Sequence, residues 1–320
     1  MVEIRSAVRA ELAKLSAGDV VIVACSGGAD SLALAYAVSQ EAQKLAIHVV
    51  GITIDHQLQE HSRRQAETVV AQFEDMGIQS SEIIPVVVDV LDGMEASARR
   101  ARYLALDEAS KKYGAVKVLL GHTRDDQAET VLLGLARGSG ARSLSGMAPE
   151  FGKYLRPLLE ITRDQTLDAC KEVQLEPWDD PHNQNRQYLR VRARLDALPT
   201  LEGSIGPGVS AALARSAALL RDDADALDDW TSREFADLDP TSMDISRLAN
   251  LPRAVRSRLI RAGIYACGAP QGSVTADHVG AVESLVTAWH GQGEVSLPGG
   301  VKARRISGRL SLLPPTNEKQ

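Results

Sequence analysis

The 320 residues are 44% hydrophobic and 24% charged, which is enough for one large domain plus a smaller one, or for two comparable domains. The formal net charge of −6 argues against a protein that coats nucleic acid indiscriminately, because that mode needs a strongly basic surface, although it leaves room for a local basic face. The apolar runs are far shorter than the roughly 20 residues that cross a bilayer and the first residues lack the pattern of a secretory signal, so we expect no membrane span and a cytoplasmic location.

The first half of the chain alternates strand-like and helix-like stretches. Strands are predicted at 19–25, 47–54, 83–88 and 116–120, and helices at 31–45, 62–76 and 95–113. Strands that alternate with helices imply crossover connections, so the pattern predicts a doubly wound parallel α/β sheet with helices on both faces. In such sheets ligands bind beyond the carboxyl ends of the strands, where Ser26, Asp55 and His122 would lie.

The sequence patterns that indicate helices and strands are weaker after Gly146. The sequence predicts a helix that begins at Thr162 or Asp164, an arginine-rich helix over 188–198, a long charged helix over 209–235, and hairpins over 291–313. We therefore expect a catalytic domain over 1–205, a helical connector over 206–240 and a C-terminal domain over 241–320. The three cysteines, Cys25, Cys170 and Cys267, form no Cys-x-x-Cys pair and are expected to be buried free thiols.

The segment Ser26-Gly27-Gly28-Ala29-Asp30-Ser31 lies between a predicted buried strand and a helix. Backbone amides at such a helix start can hold a phosphate group, glycines let the backbone approach it, and hydroxyls add donors. Since Asp30 would repel phosphate, its natural role is to hold Mg²⁺ that bridges to the phosphates. The alternative interpretation is a common glycine–serine turn with an aspartate at the helix start.

A second polar block, Gly121-His122-Thr123-Arg124-Asp125-Asp126-Gln127-Ala128-Glu129-Thr130, directly follows the fourth predicted strand. Asp126 and Glu129 are three residues apart, so on a helix their carboxylates share one face and could hold a cation or an ammonium group. Acidic residues also favour the first turn of any helix. Spacing alone does not decide between a ligand site and a capped helix start.

The first block lacks the Gly-Lys-Ser/Thr ending of a Walker A motif and the three-glycine spacing of a dinucleotide fingerprint. It resembles the pyrophosphate-binding loop of the N-type ATP pyrophosphatases, whose fold is adenine nucleotide α-hydrolase-like. The second block, together with Gly138-Ser139-Gly140, resembles the signature of the tRNA(Ile)-lysidine synthetases. The resemblance covers about residues 18 to 200 and includes Ile54-Asp55-His56, the segment 95–103, Arg156-Pro157-Leu158-Leu159 and the segment 178–199. One departure is Val191, where the family pattern usually has asparagine.

The resemblance implies that ATP adenylates the carbonyl oxygen at position 2 of the wobble cytidine in tRNA(Ile) with a CAU anticodon. The ε-amine of free L-lysine then displaces AMP and forms lysidine. On this basis Asp30 would hold Mg²⁺, Arg99 and Arg102 would stabilise the charge on pyrophosphate, and Asp126 and Glu129 would bind lysine or help to deprotonate its amine. The implied ATP-binding residues are Ser26, Gly27, Gly28, Ala29, Asp30, Ser31, Ile54, His56 and His122.

Two groups of basic residues suit a tRNA substrate, because arginines bind phosphates and position RNA without reading its sequence. We predict contacts to tRNA from Arg190, Arg192, Arg194, Arg304 and Arg305. The alternative for each group is a solvated helix or strand face. The sequence leaves the oligomeric state open, a homodimer included.

Three other functions compete with this one. A tRNA thiolase of the same superfamily would adenylate the same kind of oxygen but deliver sulfur, usually with paired catalytic or cluster-binding cysteines. A non-catalytic regulator could use the phosphate loop as a nucleotide sensor, although the acidic pair argues against that. A small-molecule amidoligase would need neither the arginine groups nor a second domain.

Overall fold

The computed structural model describes residues 1–57, 62–87, 94–138 and 140–315. It forms two compact units, Met1–Arg221 and Asp222–Gln320. The division falls inside the predicted connector, within a helix that runs from Val209 to Ala236. The domain limits at 205 and 240 stay predictions.

A six-stranded sheet forms the centre of the first unit. Its strands are β1 (Val20–Ala24), β2 (His48–Asp55), β3 (Ser80–Pro85), β4 (Lys117–Leu120), β5 (Glu150–Phe151) and β6 (Tyr154–Leu155). Their order in space is β3-β2-β1-β4-β6-β5. β5 pairs antiparallel with β6, and the other pairs are parallel.

Helices cover both faces of this sheet. The helices that begin in the first unit are α1 (Val2–Leu12), α2 (Ala29–Lys44), α3 (Ser62–Asp75), α4 (Met94–Tyr113), α5 (Arg124–Ala136), α6 (Ala141–Leu144), α7 (Arg163–Glu172), α8 (Leu189–Arg192), α9 (Leu198–Ile205) and α10 (Val209–Ala236). Alternate side chains of β1 show the two layers: Val21 and Val23 pack into a core with α1, α2, α3 and α7, whereas Ile22 packs with Leu106 and Ala109 of α4. A strand buried on both faces reads as a continuous apolar run. The predicted doubly wound sheet is confirmed.

The chain order around β1 creates the crevice that positions the site. The chain runs from β1 outward to β2 and β3, then returns to place β4 on the other side of β1. The carboxyl ends of β1 and β4 therefore flank a topological switch point, where ligands bind in open α/β sheets. Gly121 directly follows β4, and a Cβ there would lie 3.0 Å from the Asp30 carbonyl oxygen and from Ser31 Cα. Glycine is what allows β4 to end against the start of α2.

Some predicted boundaries differ from the structure. β3 runs over Ser80–Pro85, earlier than the predicted 83–88, and Val88 lies outside the described residues. The predicted single helix over 188–198 consists of α8, a wider π-helical turn over Ala193–Ala197, and the beginning of α9. A proline occupies the first turn of α9. Proline is accommodated where one helix gives way to the next, because the first turn of a helix needs no backbone N–H donor.

The second unit is a small α+β domain. Beyond the remainder of α10 it contains α11 (Ile245–Asn250), α12 (Arg253–Ala266) and α13 (Ala276–Thr287), with β7 (Met243–Asp244), β8 (Val295–Ser296), β9 (Lys302–Ile306) and β10 (Arg309–Leu313). The strands form an antiparallel sheet in the order β7-β10-β9-β8, and β9 and β10 make the predicted hairpin. Within the described ranges, no helix of either unit is long and apolar enough to cross a membrane.

Candidate active site

A cavity of about 1050 Å³ lies at the switch point of the first unit. This volume is at the upper end of the range for small-molecule sites, roughly 300–1,000 Å³. The predicted residues among its lining are Ser26, Gly28, Ala29, Asp30, Ser31, Ile54, His56, Arg99, Arg102, His122, Asp126, Glu129, Arg190 and Arg194. The structure thus gathers both polar blocks, from the ends of β1 and β4, around one space.

The loop after β1 has the shape of an anion site. Gly27 has φ +86°, and a Cβ there would lie 2.8 Å from Gln65 Nε2 and 2.9 Å from Val69 Cγ2, so both conformation and space require glycine. Ser31 Oγ accepts a hydrogen bond from the Ser26 amide at 3.2 Å and donates one to the Gly28 carbonyl at 2.9 Å, which closes the loop. Gly28 precedes α2 and has no side chain to cap it, so the first-turn amides suit a phosphate.

Asp30 points from the first turn of α2 to two side chains of α7. Thr166 Oγ1 donates a hydrogen bond to Asp30 Oδ1, and Arg163 Nε lies 3.5 Å from Asp30 Oδ2. Burial raises the pKa of Asp30, and the charge of Arg163 opposes that rise. Any role for this carboxylate therefore involves α7.

Asp126 uses its two oxygens differently. Oδ2 accepts a hydrogen bond from the Thr123 amide at 2.9 Å, which caps the start of α5. Oδ1 faces Arg163 Nη2 at 3.4 Å and Arg190 Nη2 at 3.3 Å. Burial opposes ionisation, but the two guanidiniums outweigh it and hold the pKa of Asp126 below its usual value. The carboxylate therefore stays charged while it faces the cavity.

Glu129 lies one turn further along α5 and is 2% exposed. Arg190 Nε donates to its Oε2 at 3.2 Å, and its Oε1 has no hydrogen-bond partner among the described residues. Burial raises the pKa of Glu129, and the neighbouring charge of Asp126 raises it further. The pair consists of one carboxylate held ionised and one that takes up a proton more readily.

The lining of the cavity also includes two arginines of α4. Burial and the like charge of Arg99 lower the pKa of Arg102, while Arg99 lies over the ring of Tyr103 at 5.1 Å. Two neighbouring cations at the wall of a cavity repel each other until an anion lies between them. This wall favours a polyanionic ligand.

Two histidines complete the cavity. Burial lowers the pKa of His122 to about 3, and burial together with the charge of Arg102 lowers the pKa of His56. The Nδ1 atoms of both imidazoles are buried and find no hydrogen-bond partner in the part of the chain that the structure describes. Neutral imidazoles of this kind can bind polar edges of a base or sugar without adding charge.

Comparisons with known proteins agree with this geometry. A PP-loop domain model matches residues 3–201, and a model described as TilS substrate binding domain matches residues 243–311. The tRNA(Ile)-lysidine synthase of Thermobifida fusca is 51% identical over 309 residues, which cover 96% of this chain and 95% of that protein. The chain belongs to the tRNA(Ile)-lysidine synthase family. The synthase of Streptomyces coelicolor is 50% identical over 92% of this chain and 86% of its own.

A solved structure supports the fold of this family member. The U34-tRNA thiolase NcsA from Methanococcus maripaludis superposes with a TM-score of 0.58 over 68% of this chain and 79% of its own, at 21% identity. At that identity the likeness concerns the fold alone. The three cysteines of the present family member are free and buried, as the sequence predicts.

The predicted tRNA-binding arginines occupy different environments in this family member. Arg190 lies in the cavity against the acidic pair, and Arg194 also lines the cavity, with its Nη2 donating to the Asn183 carbonyl. Arg192 is exposed on α8. On β9, Arg304 is exposed, whereas Arg305 donates to the Leu285 carbonyl at 3.0 Å and lies 5.3 Å from the centre of the Trp289 ring. A contact to tRNA stays a prediction for each of them.

Sequence reasoning missed Arg163, which contacts both polar blocks, and Thr166, which donates to Asp30. The sequence indicates only that a helix begins near Thr162, and this places Arg163 and Thr166 in the first turn of α7. Their partners are more than thirty residues away in sequence, so no spacing rule indicates the contact. Ser139, part of the quoted Gly138-Ser139-Gly140 segment, lies outside the described residues.

The oxygen donors at the loop fit a magnesium ion that arrives with a nucleotide. Mg²⁺ is usually bound by one or two carboxylates together with substrate phosphates and water. Asp30 lies in the first turn of α2 beside the loop, and both Asp30 and Asp126 contact the guanidinium of Arg163. Asp30 would hold the ion, which supplies positive charge beside the phosphates.

Proposed function

We propose that this family member ligates L-lysine to position 2 of the wobble cytidine of tRNA(Ile) with a CAU anticodon, using ATP and releasing AMP and pyrophosphate. The observation that carries the proposal is the meeting of an anion-binding loop and a buried acidic pair in one cavity. The loop suits the phosphates of ATP, and the pair suits the ammonium groups of lysine. Neither feature alone would select this reaction.

In the first half-reaction the cytidine oxygen attacks the α-phosphorus of ATP, and pyrophosphate leaves. Positive groups that face the leaving pyrophosphate stabilise the transition state most when they are already in place. Here Arg99 and Arg102 line the same cavity as the loop at 26–31. His56 and His122 would contact the nucleotide as neutral imidazoles.

In the second half-reaction the ε-amine of lysine attacks carbon 2, and AMP leaves with the former carbonyl oxygen. The attacking nitrogen must lose a proton, since an ammonium group has no free electron pair. Asp126, with its lowered pKa, binds the cationic amino acid, whereas Glu129, with its raised pKa, is suited to accept that proton.

The second unit would bind the tRNA, since a substrate-binding domain model matches it. Exposed Arg304 and, in the first unit, exposed Arg192 are the predicted residues best placed for phosphate contacts. A cytoplasmic location and a homodimer remain part of the proposal. The thiolase alternative is not favoured, because relatives at 42–51% identity over nearly the whole chain are lysidine synthases.

Incubation with ATP, labelled lysine and tRNA(Ile) transcripts, followed by nucleoside analysis, tests the proposal. We expect label in lysidine with the CAU transcript and none with a control transcript that has uridine at the wobble position. A nucleotide sensor would bind ATP but would neither incorporate lysine nor exchange pyrophosphate into ATP in the presence of tRNA. Absence of lysidine from a folded, ATP-binding preparation would refute the proposal.

A further inference from the structure

Arg163 links the phosphate loop to the acidic pair. Its Nε lies 3.5 Å from Asp30 Oδ2, and its Nη2 lies 3.4 Å from Asp126 Oδ1. The backbone amide of Arg163 donates to Asp125 Oδ2 at 2.8 Å, which fixes the start of α7 against α5. One guanidinium therefore lies between a carboxylate of the nucleotide side and a carboxylate of the lysine side.

The contacts of this guanidinium are loose. They are longer than close ion pairs of the same chain, such as the 2.7 Å contact between Arg5 and Glu41, and the Arg163 side chain is 28% exposed. Arg163 is also the first residue of α7, where a cation meets the positive end of the helix dipole and does not stabilise the helix. The two carboxylates hold the side chain, and a stronger anion can draw it away.

We propose that Arg163 is a positioning residue that makes lysine binding depend on bound nucleotide, an inference that rests on the proposed function. Without nucleotide, the guanidinium neutralises part of the charge of Asp126 and faces its Oδ1. A triphosphate beside the loop brings more negative charge than Asp30, and a planar guanidinium pairs well with phosphate oxygens. Arg163 then moves off Asp126, whose Oδ1 keeps its contact with Arg190 but attracts the lysine ammonium more strongly than before.

The coupling between the two sites is positive, and it acts in both directions. Bound nucleotide should tighten lysine binding by a factor in the usual range for coupled sites, about 5- to 150-fold, and lysine should tighten nucleotide binding by the same factor. Removing the guanidinium should tighten lysine binding in the absence of nucleotide, because it removes a competing cation from Asp126. A side chain that only supports the fold would weaken lysine binding when removed.

Calorimetric titration of L-lysine into the full chain tests the role, with and without Mg²⁺ and α,β-methylene-ATP, which resists cleavage between the α and β phosphates. The wild type should bind lysine at least about fivefold more tightly with the analogue. Arg163→Met should bind lysine tightly without the analogue and respond to it by less than about twofold. Arg163→Lys should also lose the coupling, since one ammonium cannot span both carboxylates; it is the second variant should Arg163→Met fail to fold. Lys171→Met, an exposed position at the other end of α7, should behave as the wild type.

Two outcomes would overturn the inference: equal lysine affinity with and without the analogue in the wild type, or undiminished coupling in a folded Arg163→Met variant. Either outcome leaves the proposed function standing if the same wild-type preparation converts the CAU transcript to lysidine. Conversely, absence of lysidine from a preparation whose lysine binding tightens with the analogue contradicts the proposed function and supports the coupling.

Discussion

Replacing Glu129 with alanine should raise the lysine requirement while the adenylated tRNA still forms. The Glu129 side chain is 3% exposed, and its Oε2 accepts a 3.2 Å hydrogen bond from Arg190. Its Oε1 is buried without a partner among the residues described. A ligand ammonium at Oε1 would satisfy this atom, so the variant removes an interaction that lysine alone supplies.

The expected magnitude follows from the strength of the hydrogen bond between Glu129 and the lysine ammonium. A hydrogen bond to a charged group contributes about 1.5–3 kcal/mol, which corresponds to a rise of roughly 10- to 150-fold in the lysine dissociation constant. Asp126 remains in place, so larger effects are not expected. Glu129→Gln keeps an acceptor oxygen of the same shape, so its lysine dissociation constant should rise by about tenfold, at the lower end of this range. Because the amide cannot accept the proton of the attacking amine, the displacement of AMP should also be slower at saturating lysine.

The assay separates the two half-reactions. ATP and tRNA are supplied without lysine, the adenylated tRNA is trapped, and lysine is then titrated onto it. Glu129→Ala should form the intermediate at a rate near that of the wild type and should need far more lysine to consume it. A variant that forms no intermediate yet binds lysine normally would place the pair in the ATP or metal site and refute the assignment.

Three other side chains offer separate tests. Asp30→Asn should lower the rate of lysidine formation by about 10² or more. Its melting temperature should not fall, because asparagine can still accept the Thr166 hydrogen bond. Near-normal turnover would rule out the metal role. Arg304→Ala should weaken tRNA binding and flatten its salt dependence by about one phosphate contact with no change in the KM for ATP; an unchanged slope in a filter-binding series would contradict it. Glu41 is 1% exposed and forms ion pairs with Arg9, Arg5 and Lys44. Hydrogen bonds from these side chains lower the pKa of Glu41 from 4.5 to about 2. The contribution of this carboxylate to the free energy of unfolding is on the order of 2–3 kcal/mol; it is complete above pH 4.5 and disappears as pH falls towards about 2. Denaturant titrations should therefore give Glu41→Gln a lower free energy of unfolding than the wild type at pH 7, and the two values should converge in acid.

The central sheet could be predicted from the sequence because its strands are buried on both faces. Val21, Ile22 and Val23 give an apolar run whether they face one helical layer or the other. Ends of elements are less predictable, because local propensity changes gradually there. β3 begins at Ser80, where exposed and half-buried serines carry little strand signal.

The site was predictable where its residues follow strands and are close in sequence. The loop after β1 and the block after β4 meet because the chain reverses direction beside β1, and that reversal follows from the alternation of strands and helices. The contacts of Arg163 and Arg190 were not predictable, since α7 and α8 reach the cavity through segments without periodic pattern. A single sequence shows a run of arginines over 186–194 but not which of them turns inward.

Asp126 shows why spacing alone could not assign the acidic pair. The spacing is compatible with a cap at a helix start and with a ligand for a cation, and these two roles look like alternatives in the sequence. In the structure Oδ2 caps α5 through the Thr123 amide, while Oδ1 faces the guanidiniums of Arg163 and Arg190. Because the two oxygens of a carboxylate can accept separate partners, the same residue can fix the helix and present charge to the cavity. The cap orients the group, and Glu129, one turn later, is thereby held on the same face with an oxygen available to a ligand.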